Sequence, residues 1–129
     1  MPIKVLIVDD NSLYAEAASA VVQELGYDFL VCEDGLQAKK VLDQDSQYNL
    51  IITDIVMPEL DGIELSKYIR ECLEKKYIIA MSSGASSITR KSALSCALLY
   101  CDDTMDKPFL KEDLAYKIEV AKNIINKWE

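Results

Sequence analysis

The chain has 129 residues, half of them hydrophobic, with 22 acidic and 14 basic side chains, no histidine and a net charge of −8. That length suits one domain around one core, and the longest apolar runs are far too short to cross a bilayer. The acidic balance opposes direct nucleic-acid binding. The missing histidine excludes Ser-His-Asp and Cys-His catalytic sets, a phosphohistidine on this chain and a mixed Cys/His zinc site.

The start, Met1-Pro2-Ile3-Lys4, runs directly into an apolar segment without the hydrophobic stretch and cleavage site of a signal peptide, so a cytoplasmic protein with no membrane partner is expected. Cys32, Cys72, Cys96 and Cys101 show no CxxC spacing. They read as small buried or half-buried side chains in a reducing compartment rather than as a zinc or redox centre.

Residues 3–8 form a continuous run rich in β-branched side chains, as a strand buried on both faces of a parallel sheet requires. Residues 12–25 have helical period, with Leu13, Ala17, Ala20, Val21 and Leu25 on one stripe and Gly26 as the stop. A short strand at 29–32 and a helix at about 35–44 follow, the helix with Leu36, Val41 and Leu42 apolar. A third strand spans 50–53 and ends at Asp54. After a turn at 58–62, residues 63–73 read as a helix with Leu65, Ile69 and Leu73 on one side. The fourth strand, 78–81, opens onto the Ser/Gly-rich stretch 82–87, and a fourth helix is expected over about 89–99. Residues 104–106 are the tail of a fifth strand, and 110–128 a long last helix with Leu114, Ile118, Ala121 and Ile125 on one stripe. Five strands alternating with five helices imply an α/β three-layer sandwich, doubly wound about a parallel sheet. No internal repeat or linker interrupts it, and 1–129 is expected to be one domain.

Ligands of such sheets bind beyond the carboxyl ends of the strands. Here the first strand ends in Asp9-Asp10, the third in Asp54 and the fourth in Ser82, while the fifth leads to Lys107-Pro108. Three clustered carboxylates repel, and either raised pKa values or a cation must offset them. An all-oxygen, water-accessible site suits Mg²⁺. Beside it Asp54 could act as a nucleophile toward phosphorus, with Lys107 clamping a phosphoryl oxygen and Ser82 donating a hydrogen bond to it. Singly, each residue has a plainer role: Asp9 or Asp10 as a helix cap, Asp54 as a turn residue, Lys107 as a solvated lysine and Pro108 as a helix-start proline. Their convergence on one sheet edge favours the functional reading.

These residues resemble the response-regulator receiver domains of two-component signalling over essentially the whole chain. Val5-Leu6-Ile7-Val8-Asp9-Asp10-Asn11 is similar to the family's first strand and acidic pair. Glu33-Asp34-Gly35 resembles its turn before the second helix, and Ile52-Thr53-Asp54-Ile55-Val56-Met57-Pro58-Glu59-Leu60-Asp61-Gly62 its phosphorylation signature. Lys107-Pro108-Phe109 resembles its lysine motif. The resemblance implies a flavodoxin-like fold with strand order 2-1-3-4-5. It implies Asp54 as phosphoacceptor and Asp10, Asp9, Asp54 and the Val56 carbonyl as the Mg²⁺ set, with Asp9 acting directly or through water. Ser82 would be the switch hydroxyl and Lys107 the phosphate-binding cation. It further implies a histidine kinase or histidine phosphotransfer protein as donor, self-catalysed phosphorylation and dephosphorylation, and output to a partner through the face of the fourth helix, fifth strand and fifth helix. A dimer formed on phosphorylation is a further expectation.

Two departures bear on switching. Thr104 stands three residues before Lys107, where the family usually carries Tyr or Phe, and Tyr100-Cys101 replaces the usual Gly-Ala pair. Output through Thr104 is therefore expected to be weaker or different, or Tyr100 to substitute. Val56 and Gly84 offer no polar side chain to orient a hydrolytic water, so a long-lived acyl phosphate is expected. A small phosphotransfer enzyme is disfavoured by the lack of GxxxxGK[ST] and GxGxxG loops. Asp9-Asp10-Asn11 lacks the DxD spacing of a haloacid-dehalogenase-type phosphatase. A silent interaction domain is disfavoured by the joint presence of Asp10, Asp54, Ser82 and Lys107. A stand-alone regulator and a receiver module of a larger regulator or hybrid kinase both fit the sequence.

Overall fold

A computed structural model of the chain describes residues 2–55, 61–83 and 100–128. Within them the order is β1 (Lys4–Val8), α1 (Ser12–Glu24), β2 (Asp28–Cys32), α2 (Gly35–Gln44), β3 (Leu50–Asp54), α3 (Gly62–Cys72), β4 (Tyr77–Ser83), β5 (Asp103–Lys107) and α4 (Lys111–Asn126). The strands form one parallel sheet in the order β2-β1-β3-β4-β5. The helix expected over 89–99 lies outside the described residues, so α4 is the fifth helix of the sequence reading.

The continuous apolar runs make sense because both faces of the sheet are covered. Val5, Ile7, Leu50, Ile52, Ile79 and Met81 face α1 and α4, whose Val21, Val22, Leu114, Ile118, Ala121 and Ile125 close that layer. The alternate residues Leu6, Val8, Ile51 and Ile78 face α2 and α3, against Ala38, Leu42, Leu65 and Ile69. Burying one aliphatic side chain of this kind contributes roughly 1.5–3 kcal/mol, so these two layers hold the sheet edge rigid for whatever sits on it.

The α3 and α4 stripes agree with the sequence pattern apart from Leu73, which caps α3 half-buried. The α1 stripe does not. Its buried residues are Ala15, Ala18, Val21 and Val22, while Leu13 is 74% exposed. Small alanines let this helix lie close to the sheet and leave the larger Leu13 at the rim. In α2, Ala38 and Leu42 are buried and Leu36 is largely exposed. β4 begins one residue earlier than expected and continues to Ser83, which keeps Ser82 inside the ladder.

Candidate functional site

The carboxyl edge of the sheet is built by β1, β3, β4 and β5, and register decides what meets there. Val8 pairs with Thr53, Asp54 with Met81, and Ser82 with Asp106. Asp9 therefore leaves β1 beside the end of β3, where Asp54 is the last strand residue. One carboxylate oxygen from each of Asp9, Asp10 and Asp54 lies within 4.8 Å of the others. Asp9 and Asp54 are buried, and Asp10 is exposed at the rim.

The two aspartates after β1 do not cap α1. Asn11 does: its side-chain oxygen accepts from the Leu13 and Tyr14 amides at 3.0 and 3.4 Å. Asp9 divides its oxygens, Oδ1 accepting from the Asn11 amide at 2.9 Å and Oδ2 from Lys107 Nζ at 2.7 Å. Capping by Asn11 leaves Asp10 at the rim of the cluster.

Lys107 reaches in from the end of β5, with only 2% of its side chain exposed. Its ammonium sits 2.7 Å from Asp9, 3.3 Å from Asp54 Oδ2 and 4.4 Å from the centroid of the Tyr14 ring. Burial holds the Asp54 carboxyl above its ordinary pKa against the opposing pull of Lys107, and the charge of Asp9 adds to the rise. Asp54 Oδ1 is buried without a hydrogen-bond partner among the described residues. A buried, unpartnered carboxylate oxygen is costly unless a further donor or cation reaches it. With three carboxylates converging, the donor set is hard oxygen and fits a divalent cation such as Mg²⁺.

Ser82 is buried next to this cluster, and its hydroxyl donates to Asp106 Oδ1 at 3.3 Å, the long end of such contacts. Thr104 lies on β5 opposite Ala80, half-buried. It lines a groove of about 430 Å³ together with Pro108, Phe109, Leu110, Asp113 and Tyr116. No aromatic ring stands at that position, in keeping with the sequence. The Val56 carbonyl, Gly84 and Cys96 fall outside the described residues. The remaining cysteines are free thiols, Cys32 buried, Cys101 half-buried and Cys72 exposed.

Three contributors were not anticipated from sequence. Asn11 as the cap follows the general preference for Asn at that position and was legible in principle. Tyr14 over Lys107 depends on the rotation of α1, which an alanine-rich pattern does not reveal. Gly62 begins α3 hard against the end of β3, its amide donating to the Ile55 carbonyl at 2.9 Å. An added Cβ there would stand 1.9 Å from the Asp54 carbonyl oxygen.

A doubly wound parallel sheet with an acidic cluster and a buried lysine at its carboxyl edge defines a class of α/β domains whose ligand site lies at the strand ends. Comparison with known proteins narrows the class. The family model described as response regulator receiver domain matches residues 5–119. The transcriptional regulatory protein CpxR homolog of Haemophilus influenzae is 31% identical over 116 residues, covering 90% of this chain and 48% of that protein. Histidine kinase 3 of Arabidopsis thaliana is 27% identical over 133 residues, covering 86% of this chain and 12% of the kinase. The crystal structure of a CheY-like response regulator receiver domain protein from Methanospirillum hungatei superposes with a TM-score of 0.88 over the full length of both chains at 21% identity, a likeness of fold. The chain belongs to the response regulator receiver domain family of two-component systems. It spans about half or less of the length of these curated relatives, and none of its described helices is long and apolar enough to cross a membrane.

Proposed function

We propose that residues 1–129 form one receiver module that accepts a phosphoryl group on Asp54 from a phosphohistidine of a kinase or phosphotransfer protein. The observation that carries this reading is the placement of Lys107 between the buried carboxylates of Asp9 and Asp54, with Asp10 at the rim of the same cluster. An Asp54 oxygen attacks phosphorus, the phosphorus–nitrogen bond breaks, and the donor imidazole leaves as the acyl phosphate forms. Lys107 Nζ is already within reach of Asp54 and turns a donor toward a phosphoryl oxygen. The Ser82 hydroxyl exchanges its long contact with Asp106 for a phosphoryl oxygen.

Asp10 and Asp54, together with the Val56 carbonyl, would hold Mg²⁺. Asp9, with both oxygens engaged by protein donors, would act through water or after Lys107 moves. The bound ion supplies charge neutralisation for the transferring phosphoryl group. Output would run through the face of β5 and α4 with the helix expected over 89–99, Thr104 and Ser82 forming the switch. This reading places the module in the cytoplasm, and its partners, beyond the donor, are an output protein or an attached effector domain.

Incubation with acetyl or carbamoyl phosphate and Mg²⁺, wild type beside Asp54→Asn, tests the central claim by mass. One phosphoryl group on the wild type and none on the variant is the expected result. Equal gain in both would overturn it.

A further inference from the structure

Lys107 has an ammonium with three donors, and the described structure accounts for three sides of it: Asp9 at 2.7 Å, Asp54 at 3.3 Å and the face of Tyr14 at 4.4 Å from the centroid. The ring is within the range where a cation is drawn to the negative face of an aromatic. Tyr14 sits in the first turn of α1, its amide donating to the Asn11 cap at 3.4 Å. Its ring packs against Phe109, with centroids 6.2 Å apart and the planes tilted by 41°. Phe109 follows Lys107 by two residues, so the lysine and the brace of its aromatic wall belong to one segment.

We infer that Tyr14 is a positioning residue for phosphoryl transfer, its ring forming the third wall of the Lys107 pocket and holding the ammonium over Asp54; the inference rests on the phosphoacceptor reading above. Two buried carboxylates alone would leave the long lysine side chain free to swing toward the rim and take up water. The ring covers a further side of the ammonium, and with only 2% of the lysine side chain exposed the cation is kept poorly hydrated. A poorly hydrated cation is the stronger partner for a phosphoryl oxygen. Because the attraction of the ring is not directional like a hydrogen bond, Lys107 can turn from Asp9 toward the phosphoryl group without losing it. Nothing in the composition or spacing of the chain pointed to this tyrosine.

The test compares wild type, Tyr14→Phe and Tyr14→Leu, each also in a Lys107→Met background. Initial rates of Asp54 labelling by acetyl phosphate with saturating Mg²⁺ are read by mass, and folding by the amide NMR spectrum. Tyr14→Leu is expected to slow labelling about fivefold to tenfold, Tyr14→Phe to restore it to within about twofold, and Tyr14→Leu to add nothing once Lys107 is methionine. Independently of labelling, the Lys107 ε-methylene resonance should lie upfield in the wild type and in Tyr14→Phe, through the ring current, and return to its ordinary position in Tyr14→Leu. Wild-type rates in Tyr14→Leu, an equal slowing in the Lys107→Met background, or an unshifted ε-methylene in the wild type would each overturn the inference while Asp54 remained the acceptor. Failure of the phosphoacceptor reading itself looks different: wild-type protein would then take no label that Asp54→Asn abolishes.

Discussion

Replacing Gly62 with alanine puts a methyl carbon 1.9 Å from the carbonyl oxygen of Asp54 and 2.9 Å from both its carbonyl carbon and the Ile55 Cα. Real Cβ atoms stay beyond 3.0 Å from such neighbours, so either α3 or the end of β3 must move by about 1 Å. Neither is a flexible side chain. The Gly62 amide ties α3 to the Ile55 carbonyl, while the Ile55 amide ties that segment to Met81 on β4, both at 2.9 Å. Two opposing effects can be weighed. Alanine is the better helix former by about 1 kcal/mol, which would stabilise the variant. Overpacking against fixed backbone costs roughly 1–3 kcal/mol, and the closeness of this contact puts it at the upper end. The net expectation is a loss of about 2 kcal/mol, read as a lower urea midpoint at unchanged slope. Because the strained backbone is that of Asp54, labelling by acetyl phosphate should fall as well. A variant as stable as wild type or more so, with unchanged labelling, would refute the close approach of α3 to Asp54.

Asp54→Asn should stabilise the protein at neutral pH, because the native site disfavours the charged carboxyl. The sign follows from linkage: the unfolded group ionises near its ordinary 3.8 and the folded one higher, so the cost is absent below that value and complete above the folded pKa. The gap between variant and wild type in thermal melts should therefore open as pH rises from below 4 to 7, and excess Mg²⁺ should narrow it; a gap independent of pH would count against the burial argument. Burial lifts the Cys32 thiol to about 11, so alkylation at pH 8 followed by peptide mapping should modify exposed Cys72 at least tenfold faster. Comparable rates would mean that β2 opens readily. Arg70 donates to the carbonyls of Tyr100 and Lys76 at 2.7 and 2.8 Å and pairs with Asp102, fastening α3 to the approaches of β4 and β5. Arg70→Ala should cost about 1–3 kcal/mol in urea unfolding, with Arg70→Lys recovering less than half because the fork is lost.

The strands were legible because a parallel sheet covered on both faces demands unbroken β-branched runs, and residues 3–8 and 50–53 supply them, whereas their order across the sheet came from the family resemblance. The polar residues at the ends of those runs followed directly. The last helix was equally legible, since Leu114, Ile118, Ala121 and Ile125 sit among polar neighbours and leave one choice of face. In α1 four alanines, at 15, 17, 18 and 20, allow several rotations with similar hydrophobicity, and the stripe chosen from sequence buried Leu13, which the fold leaves out. That same rotation decides that Tyr14 looks onto Lys107, so one misreading hid the other. The pairing of Asp9 with Lys107 joins residues 98 apart and exists only once the strands have taken their order. Arg70 was hidden for a related reason: it bonds mainly to backbone carbonyls, which carry no sequence signature.

The cap on α1 has one more consequence. Since Asn11, a neutral side chain, holds the first turn, the acceptor that caps that helix has no charge of its own to gain or lose, even though the Asn11 amide is itself tied to Asp9 Oδ1. Were a cation to enter the acidic cluster or a phosphoryl group to join Asp54, the charge of the pocket would change without removing the acceptor that Leu13 and Tyr14 depend on. On the phosphoacceptor reading the helix would serve as a fixed reference against which Lys107 moves, an anvil rather than a lever.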